Sequence, residues 1–229
     1  MGLEILKDSA SQQPILCIET SSQLCSVAIC IDGEIITTEV FEEQNAHAQI
    51  LFTLVDSCLQ KAGLKKSDLV AIAVSEGPGS YTGLRIGVAA AKGFCQALNI
   101  PLIGVSSLAT LAQAAKTDCD FIVPMLDARR NEVYTAVFDK QLQIVEAPHP
   151  HILEESSFAS FLEQGKVYFI GNGSTKWQKS CVHPHAFYND QLMPLAQNMC
   201  KMAQEKWVAK NFENLAYFVP DYLKPVHIL

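Results

Sequence analysis

The sequence predicts an α/β fold made of two similar modules, and three observations carry this prediction. Each half of the chain opens with a short apolar run that ends on an acid, at residues 15–19 and 121–127. Each half continues with further β-rich runs before its first helical pattern. Each half also contains a strand that leads into a glycine loop, at residues 71–80 and 166–174. Repetition in this order indicates an internal duplication.

The first module is predicted to contain five strands and three helices. Asp32-Gly33 separates two β-rich runs and is a strong hairpin signal, so the first three strands should form an antiparallel meander. Apolar residues at helical spacing, ended by Gly63, predict the first helix. The predicted elements are strands at 15–19, 24–31 and 34–41, a helix at 46–62, a strand at 69–74, a helix that ends near Leu98, a strand at 101–105 and a helix at 107–115. This order of elements is that of the ribonuclease-H-like module.

The second module repeats the beginning of the first. Its predicted elements are strands at 121–127, 132–138 and 142–145, a helix at 154–164, a strand that begins at Lys166 and an amphipathic helix at 192–207. Pro148, His149 and Pro150 are interpreted as a loop, because proline interrupts regular elements. Two such modules in one chain predict the actin-like (sugar kinase/Hsp70) superfold.

The predicted domain organisation follows from this repetition. Residues 1–13 are polar and mixed in charge, and we expect them to be a disordered N-terminal extension. The boundary is placed between residues 104 and 107, which gives an N-terminal module at 14–106 and a C-terminal module at 107–229. The tail after about residue 212 is expected to pack back on the first module.

The composition argues against several classes of protein. The chain has 229 residues, a net charge of −7 and 49% hydrophobic residues. An acidic chain repels phosphate, which disfavours independent nucleic-acid binding. No apolar run is long enough to span a membrane, and the N-terminus lacks a signal-peptide pattern. Eight scattered cysteines without a C-x-x-C pair indicate a reducing environment, so we expect a cytoplasmic protein without a membrane partner.

The glycine loop before the second helix allows two interpretations. Backbone N–H groups and a helix N-terminus could hold an anion or a nucleotide there. The residues of this interpretation are Gly77, Gly79, Ser80 and Thr82. The loop matches neither the Walker A motif nor the dinucleotide pattern. Alternatively, small residues give a face on which another helix packs closely, and the sequence favours this interpretation. That face consists of Gly79, Gly83, Gly87 and Ala90.

Four segments, which follow one another along nearly the whole chain, resemble the TsaB family. They are Glu19-Thr-Ser, the run Gly-Pro-Gly-Ser-Tyr-Thr-Gly-Leu-Arg-Ile-Gly at 77–87, Pro124-Met-Leu-Asp-Ala-Arg-Arg-Asn-Glu-Val-Tyr134 and Pro220-Asp-Tyr-Leu-Lys224. The glycine run is highly specific, and the other three are moderately specific. The tail of the family usually ends on arginine where this chain has Lys224, so a contact specific to arginine is not carried over.

The resemblance implies a non-catalytic partner or activator subunit for the synthesis of N6-threonylcarbamoyladenosine at position 37 of tRNA. Proteins of this family are similar to the catalytic subunit TsaD without its chemistry, and they pair with it through the first-module helices. The resemblance also implies a TsaE-like ATPase as a further partner, homodimers when the chain is alone, and contact with tRNA only through the complex. No cofactor of its own is implied, and ATP or ADP would be held within the complex.

The partner interface implied by the resemblance lies on the first two helices and the glycine loop. A partner subunit requires an exposed face with apolar and small residues. The candidates are His47, Ile50, Leu54, Gly79, Tyr81, Gly83, Arg85, Gly87 and Ala90. Each of them could instead belong to the core of the chain.

The sequence argues against catalysis by the chain alone. The metal-bearing relative has a His-x-x-x-His pair where this chain has Ser107 and Leu111, and leucine cannot ligate a metal. No metal is expected at His47 or at the two His-Pro-His segments either. Glu19 and Asp127 end the first strand of their modules. They are either vestiges of acids that hold a metal–nucleotide in kinases of this superfold, or caps of the following turn. An ATPase or kinase, and a glycoprotease-like metallopeptidase, are the alternative functions.

Overall fold

The computed structural model describes residues 13–42 and 47–224. Residues 1–12, which carry nearly all of the predicted extension, lie outside this part, as do residues 43–46 and 225–229. The described chain contains two five-stranded mixed sheets and six α-helices. In this part of the chain, no helix combines the length and the apolar composition that crossing a membrane requires.

The first sheet has the topology that the turn and hairpin signals predict. Its strands are β1 (Pro14–Glu19), β2 (Cys25–Ile31), β3 (Glu34–Phe41), β4 (Ala71–Gly77) and β5 (Leu102–Ser106). Their order is β3-β2-β1-β4-β5, with an antiparallel meander and two strands parallel to β1. Asp32 and Gly33 both have positive φ, 53° and 81°, as a type I′ turn requires.

The second sheet repeats this topology. Its strands are β6 (Phe121–Asp127), β7 (Glu132–Asp139), β8 (Ile144–Ile152), β9 (Val167–Ile170) and β10 (Ala186–Asn189). Their order is β10-β9-β6-β7-β8, and β6 stands at the centre as β1 does in the first sheet. The shared topology confirms the predicted duplication of a ribonuclease-H-like module.

The predicted loop around Pro148, His149 and Pro150 is wrong, because these residues lie inside β8. His149 pairs with Thr135, and Pro150 pairs with Tyr134. β8 is the edge strand of its sheet, so a proline there removes no hydrogen bond that a neighbouring strand needs. The strand therefore extends well beyond its predicted end at residue 145.

Five of the six described helices follow the predicted order, two of them with corrected bounds, and the short helix at Ser174–Gln178 was not predicted. They are α1 (His47–Ala62), α2 (Tyr81–Leu98), α3 (Ser107–Gln113), α4 (Ala159–Gln164), α5 (Ser174–Gln178) and α6 (Cys200–Val208). The helix predicted at 154–164 is shorter, because Phe158 enters α4 with a positive φ of 59°. The helix predicted at 192–207 starts late, because Leu195 is extended and a 3₁₀ turn at Ala196–Met199 precedes α6.

The two halves of the chain exchange helices. α1 and α2 cover one face of the first sheet. The other face of that sheet is covered from the far end of the chain, by residues 196–203 packed against β1, β2, β4 and β5. In turn, α3 leaves the first sheet and packs on β6, β7 and β9 of the second. The chain thus returns to the first module from Ala196 onwards, earlier than the predicted return near residue 212.

Two glycines hold the first turns of α2 against the turn that follows β1. A Cβ atom at Gly83 would overlap the backbone oxygen of Thr20, and one at Gly87 would overlap the Thr20 hydroxyl. Both glycines are buried. Gly93, two turns further along α2, has no atom within 4 Å of the place of a Cβ. The glycines of α2 therefore have different roles. Gly83 and Gly87 set the distance between α2 and the turn after β1, and Gly93 does not.

We expect Gly83→Ala to destabilise the chain by about 1–3 kcal/mol, because the added methyl meets a backbone oxygen that cannot move alone. Gly93→Ala is the matched control in the same helix, and it should stabilise by up to about 1 kcal/mol through helix propensity. Urea unfolding of both variants, at two protein concentrations, measures the difference. Equal unfolding midpoints for the two variants would contradict the close contact at Gly83.

Candidate functional site

A cleft of about 740 Å³ lies where the two modules meet. The first module contributes the turn after β1 and the beginning of α2, including Ser21 and Thr82. The second module contributes the end of β6 and the following turn, including Asp127 and Arg129. The tail closes one side with Tyr222 and Lys224. Half of the site residues that the sequence singles out, seven of fourteen, therefore line one cavity.

The glycine loop at the rim of the cleft is held mainly by bonds within the chain. The Ser80 N–H donates to the backbone oxygen of Ser21 at 2.7 Å. The Ser80 hydroxyl caps α2 by accepting from the Gly83 N–H at 3.3 Å. The Gly77 backbone lies against the backbone oxygen of Asp221 in the tail. Two N–H groups that an anion would need are thus already engaged, and this geometry supports the helix-packing interpretation over the nucleotide interpretation.

Four of the nine predicted interface residues face the inside of the chain. Gly83 and Gly87 contact Thr20, as described above. His47 is buried, and its Nε2 lies 3.2 Å from the backbone oxygen of Ser22. Leu54 belongs to the core between α1 and the first sheet. These four residues pack within their own module, which is the core alternative that the sequence left open for each candidate, and a role in the partner interface stays a prediction for them.

The other predicted interface residues remain at least partly accessible. Ile50 and Ala90 are half-buried, Arg85 is exposed, and Gly79 lines the cleft. Tyr81 is 39% exposed. The Arg85 guanidinium donates to the Tyr81 hydroxyl at 2.9 Å and lies 5.0 Å from the centre of its ring. Both side chains are therefore positioned by each other at the beginning of α2.

The structure also presents an aromatic pair that the sequence analysis missed. Phe52 on α1 is 52% exposed, and its ring centroid lies 5.7 Å from that of Phe94 on α2. A signal was available in the sequence, because Phe52 falls off the apolar face that the other large residues of α1 define. Aromatic residues are enriched in protein–protein contacts, so this pair adds a candidate to the predicted interface on α1 and α2.

The two strand-end acids both cap the turn that follows their strand. Glu19 is fully buried, and its Oε1 accepts the Ser21 N–H at 2.6 Å. Asp127 accepts the Arg129 N–H at 2.6 Å and pairs with the Lys176 ammonium at 2.7 Å. The geometry matches the turn-capping alternative for both acids.

The environment of Glu19 is the more unusual of the two. Its Oε2 is buried and has no hydrogen-bond partner among the described residues. Burial raises the pKa of this carboxyl above its ordinary value of 4.5, although the Ser21 hydroxyl and N–H and the Ser75 hydroxyl oppose the shift. The carboxyl therefore holds its proton to higher pH in the folded chain than in the unfolded chain.

The tail from residue 213 to residue 224 connects the two modules across the cleft. The Asp221 N–H donates to the backbone oxygen of Glu76 at 2.6 Å, and the Tyr222 ring lies 4.9 Å from that of Tyr81. Lys224 pairs with Glu132 of the second module and sits 5.6 Å from the ring centre of Tyr134. The lysine thus forms an ion pair at the position where the resemblance implies an arginine.

Ser107 and Leu111, which replace the expected histidine pair, are both fully buried in α3. Leu111 packs among apolar residues of the second module. Two histidines of the second module have structural partners. The His149 Nε2 atom lies 3.2 Å from the Glu146 Oε1 atom, and the His151 Nε2 atom lies 2.9 Å from the Ser157 hydroxyl oxygen. Within the described ranges, no histidine belongs to a cluster of three potential metal ligands.

Comparison with known proteins relates the chain to two kinds of protein. The family model of TsaD, tRNA N6-adenosine threonylcarbamoyltransferase, matches residues 36–224. The chain is 38% identical to the tRNA threonylcarbamoyladenosine biosynthesis protein TsaB of Escherichia coli, over 92% of this chain and 94% of that protein. It is 31% identical to the Bacillus subtilis TsaB protein over 92% of this chain and 93% of that protein. The tRNA N6-adenosine threonylcarbamoyltransferase of Streptococcus uberis, 32% identical, matches over only 49% of this chain and 38% of that protein.

Solved structures show the same relationship. YeaZ from Pseudomonas aeruginosa superposes with a TM-score of 0.80 at 28% identity, over 92% of this chain and all of that chain. The ethanolamine utilization protein EutJ from Carboxydothermus hydrogenoformans, at a TM-score of 0.51 and 11% identity over 84% of this chain and 92% of that chain, shares the fold alone. The fold class predicted from the sequence is thereby confirmed.

We expect the contribution of Glu19 to the stability of the chain to fall as the pH rises. Because the pKa of the Glu19 carboxyl is raised in the folded chain, its stabilising contribution is present below the unfolded pKa of about 4.5 and is lost as the pH rises through the folded pKa. Glu19→Gln keeps an acceptor for Ser21 and does not titrate. Its stability relative to the parent should therefore rise between pH 4 and pH 8.

Urea unfolding of both proteins across this pH range measures the effect. Asp127→Asn, which removes the carboxyl at the corresponding and exposed position of the second module, is measured in parallel. A stability difference between the parent and Glu19→Gln that stays constant with pH would show that the buried carboxyl does not titrate as described.

Proposed function

The chain belongs to the TsaB family of tRNA threonylcarbamoyladenosine biosynthesis proteins, and on this premise we propose that it is the non-catalytic partner and activator subunit of a TsaD-type transferase. The observation that carries the proposal is the extent of the match. TsaB proteins align with 92% of the chain, whereas the transferase of Streptococcus uberis aligns with about half of it. In this proposal the modification is made at position 37 of tRNA, and the tRNA is held by the complex as a whole.

The buried positions in α3 support a role without catalysis by the chain alone. Ser107 and Leu111 are closed to solvent, so neither could present a ligand to a metal in the cleft. The strand-end acids also support it, since Glu19 and Asp127 hold their own turns. A glycoprotease-like metallopeptidase has the least support, because its metal would lack ligands.

The outer face of α1 and α2 is the surface proposed for the TsaD-type subunit. Phe52 and Phe94 give it an apolar centre, and Ile50, Arg85 and Ala90 lie on the same two helices. An exposed apolar patch rimmed by polar residues is typical of a protein–protein contact. In the absence of the partner we propose that a second copy of the chain binds the same face, which gives a homodimer. A TsaE-like ATPase then joins the assembly of the two different subunits.

ATP or ADP belongs to the assembly in this proposal and not to the isolated chain. The bonds that Ser80 makes to Ser21 and Gly83 leave fewer free N–H groups for phosphate in the glycine loop. One observation favours the alternative of an actin-like ATPase or kinase, namely the cleft of about 740 Å³ between the modules. An assay of nucleotide turnover distinguishes the activator subunit from the ATPase or kinase, since only the ATPase or kinase is expected to turn over nucleotide alone.

Reconstitution of the modification tests the proposed function. Threonylcarbamoyl transfer to tRNA is measured with cognate TsaD-type and TsaE-type proteins and preformed threonylcarbamoyl-AMP, with and without this chain. We expect the transfer to require the chain, and we expect no ATPase or transfer activity from the chain alone. Equal transfer without the chain, or nucleotide turnover by the isolated chain, would overturn the activator function.

A charged substitution in the aromatic pair tests the proposed surface. Phe52→Asp should weaken binding to the TsaD-type subunit by about tenfold or more, because it places a carboxylate at the centre of a desolvated contact. Phe187→Asp is the matched control, since Phe187 is also exposed and lies on β10 of the second module. Binding is measured by titration calorimetry and folding by thermal unfolding. If both variants fold and bind alike, the partner occupies a different surface.

A further inference from the structure

Three cysteine side chains meet between the first sheet and the last helix. Cys17 lies on β1, Cys30 lies on β2, and Cys200 is the first residue of α6. Their sulfur atoms all lie within 4.8 Å of one another. Each side chain is at most 1% exposed. Cys17 and Cys30 meet because β1 pairs with β2, and Cys200 joins them because α6 returns to the first sheet.

The spacing of the sulfurs suits a shared metal ion better than a disulfide. The Cys17 and Cys30 sulfurs are 3.9 Å apart, whereas a disulfide bond requires about 2.05 Å. A metal–sulfur bond of about 2.3 Å in trigonal geometry separates two sulfur ligands by about 4.0 Å. The distance between Cys17 and Cys30 therefore already matches two ligands of a three-coordinate site, and Cys200 lies within reach as the third.

The surroundings of the three thiols select the kind of ion. The residues that pack around them are apolar, and they include Ile15, Ala28, Met199 and Ala203. Among the described residues, the cluster contains no carboxylate or imidazole that could serve as a fourth ligand. Thiolates prefer soft metal ions, and a hard ion such as Mg²⁺ requires oxygen ligands. Zn²⁺ in structural sites takes four ligands, so a site of three thiols fits it poorly.

Backbone oxygen atoms also face the cluster. The Cys30 sulfur lies 3.7 Å from the backbone oxygen of Ile15 and 3.9 Å from that of Cys200, the first residue of α6. The cluster thus combines three soft donors with backbone oxygens in a place closed to water, and such a set of donors suits a cation.

We propose that Cys17, Cys30 and Cys200 form a three-coordinate binding site for a soft, thiophilic cation of the Cu(I) type. Each thiol that coordinates the ion loses its proton to solvent, so one Cu⁺ bound by three thiolates releases three protons without transfer of electrons. The bound ion ties β1, β2 and α6 together. By mass action it stabilises the folded chain. This inference is independent of the proposed function in tRNA modification.

Copper titration of the full chain tests the site. The chain, purified anaerobically with its thiols reduced, is titrated with Cu(I) in competition with a colorimetric Cu(I) chelator. Because the site is closed to solvent, Cu(I) is supplied both to the folded chain and during refolding from urea. We expect one Cu(I) per chain, an ultraviolet thiolate-to-copper absorption band and a raised thermal unfolding midpoint. Cys17→Ala and Cys200→Ala should each lower the affinity for Cu(I) by about 100-fold or more, as a lost ligand does.

A buried cysteine outside the cluster provides the matched control. Cys95 on α2 is 1% exposed and packs in the core on the opposite face of the first sheet. Cys95→Ala should bind Cu(I) with the affinity of the parent, which separates loss of a ligand from general loosening of the core. Zn²⁺, titrated in the same way, should bind more weakly than Cu(I). A parent chain that loses its copper to the chelator, or equal loss of affinity in Cys95→Ala and Cys17→Ala, would overturn the proposal.

Discussion

The exchange of helices between the two sheets is the interaction on which the rest of this structure depends. The strands β1, β2 and β4 of the first sheet are buried on both faces, and such a sheet must be covered twice to keep its apolar residues from water. The first half of the chain covers only one face, with α1 and α2, and the second half covers the other. Because α3 crosses in the opposite direction, neither module has a complete core without the other. The cleft lies between the two modules that exchange these helices, and the tail runs back along its rim.

The sequence predicted the topology well, because the signals for it are local. Asp32-Gly33 determines a hairpin wherever it occurs between two β-rich runs, and Ser80 caps a helix through the N–H group of a residue three positions later. The continuation of β8 through Pro148 and Pro150 could not be predicted in this way. Proline is acceptable there only because the strand lies at the edge of the sheet, and edge position is a property of the whole sheet. The late start of α6 has a local cause, the extended Leu195, which the amphipathic pattern alone does not show.

The predicted site residues were less reliable than the predicted elements, and glycine is the main reason. An apolar side chain indicates which face of a helix is buried, whereas glycine has no side chain to carry that information. The sequence therefore could not decide between the core and a partner interface for Gly83 and Gly87, which touch Thr20 inside the module. Phe52 was overlooked for the opposite reason, since an aromatic residue in an amphipathic helix is usually assigned to the core. The sequence identified Glu19 and Asp127 as acids at strand ends, but the bonds of Glu19, Ser80 and Asp127 to their own turns depend on three-dimensional contacts.

The exchange also sets an order in time when the chain is made on a ribosome. β1 to β5 are synthesised before the second sheet, and the residues that cover their second face, from Ala196 onwards, follow only after β6 to β10. At roughly 5–20 residues per second, this interval lasts on the order of ten seconds. During that interval Ile15, Ala28 and Ile103 belong to a sheet with one open apolar face. The nascent chain is thus in most need of a chaperone after β5 has been made and before α6 arrives.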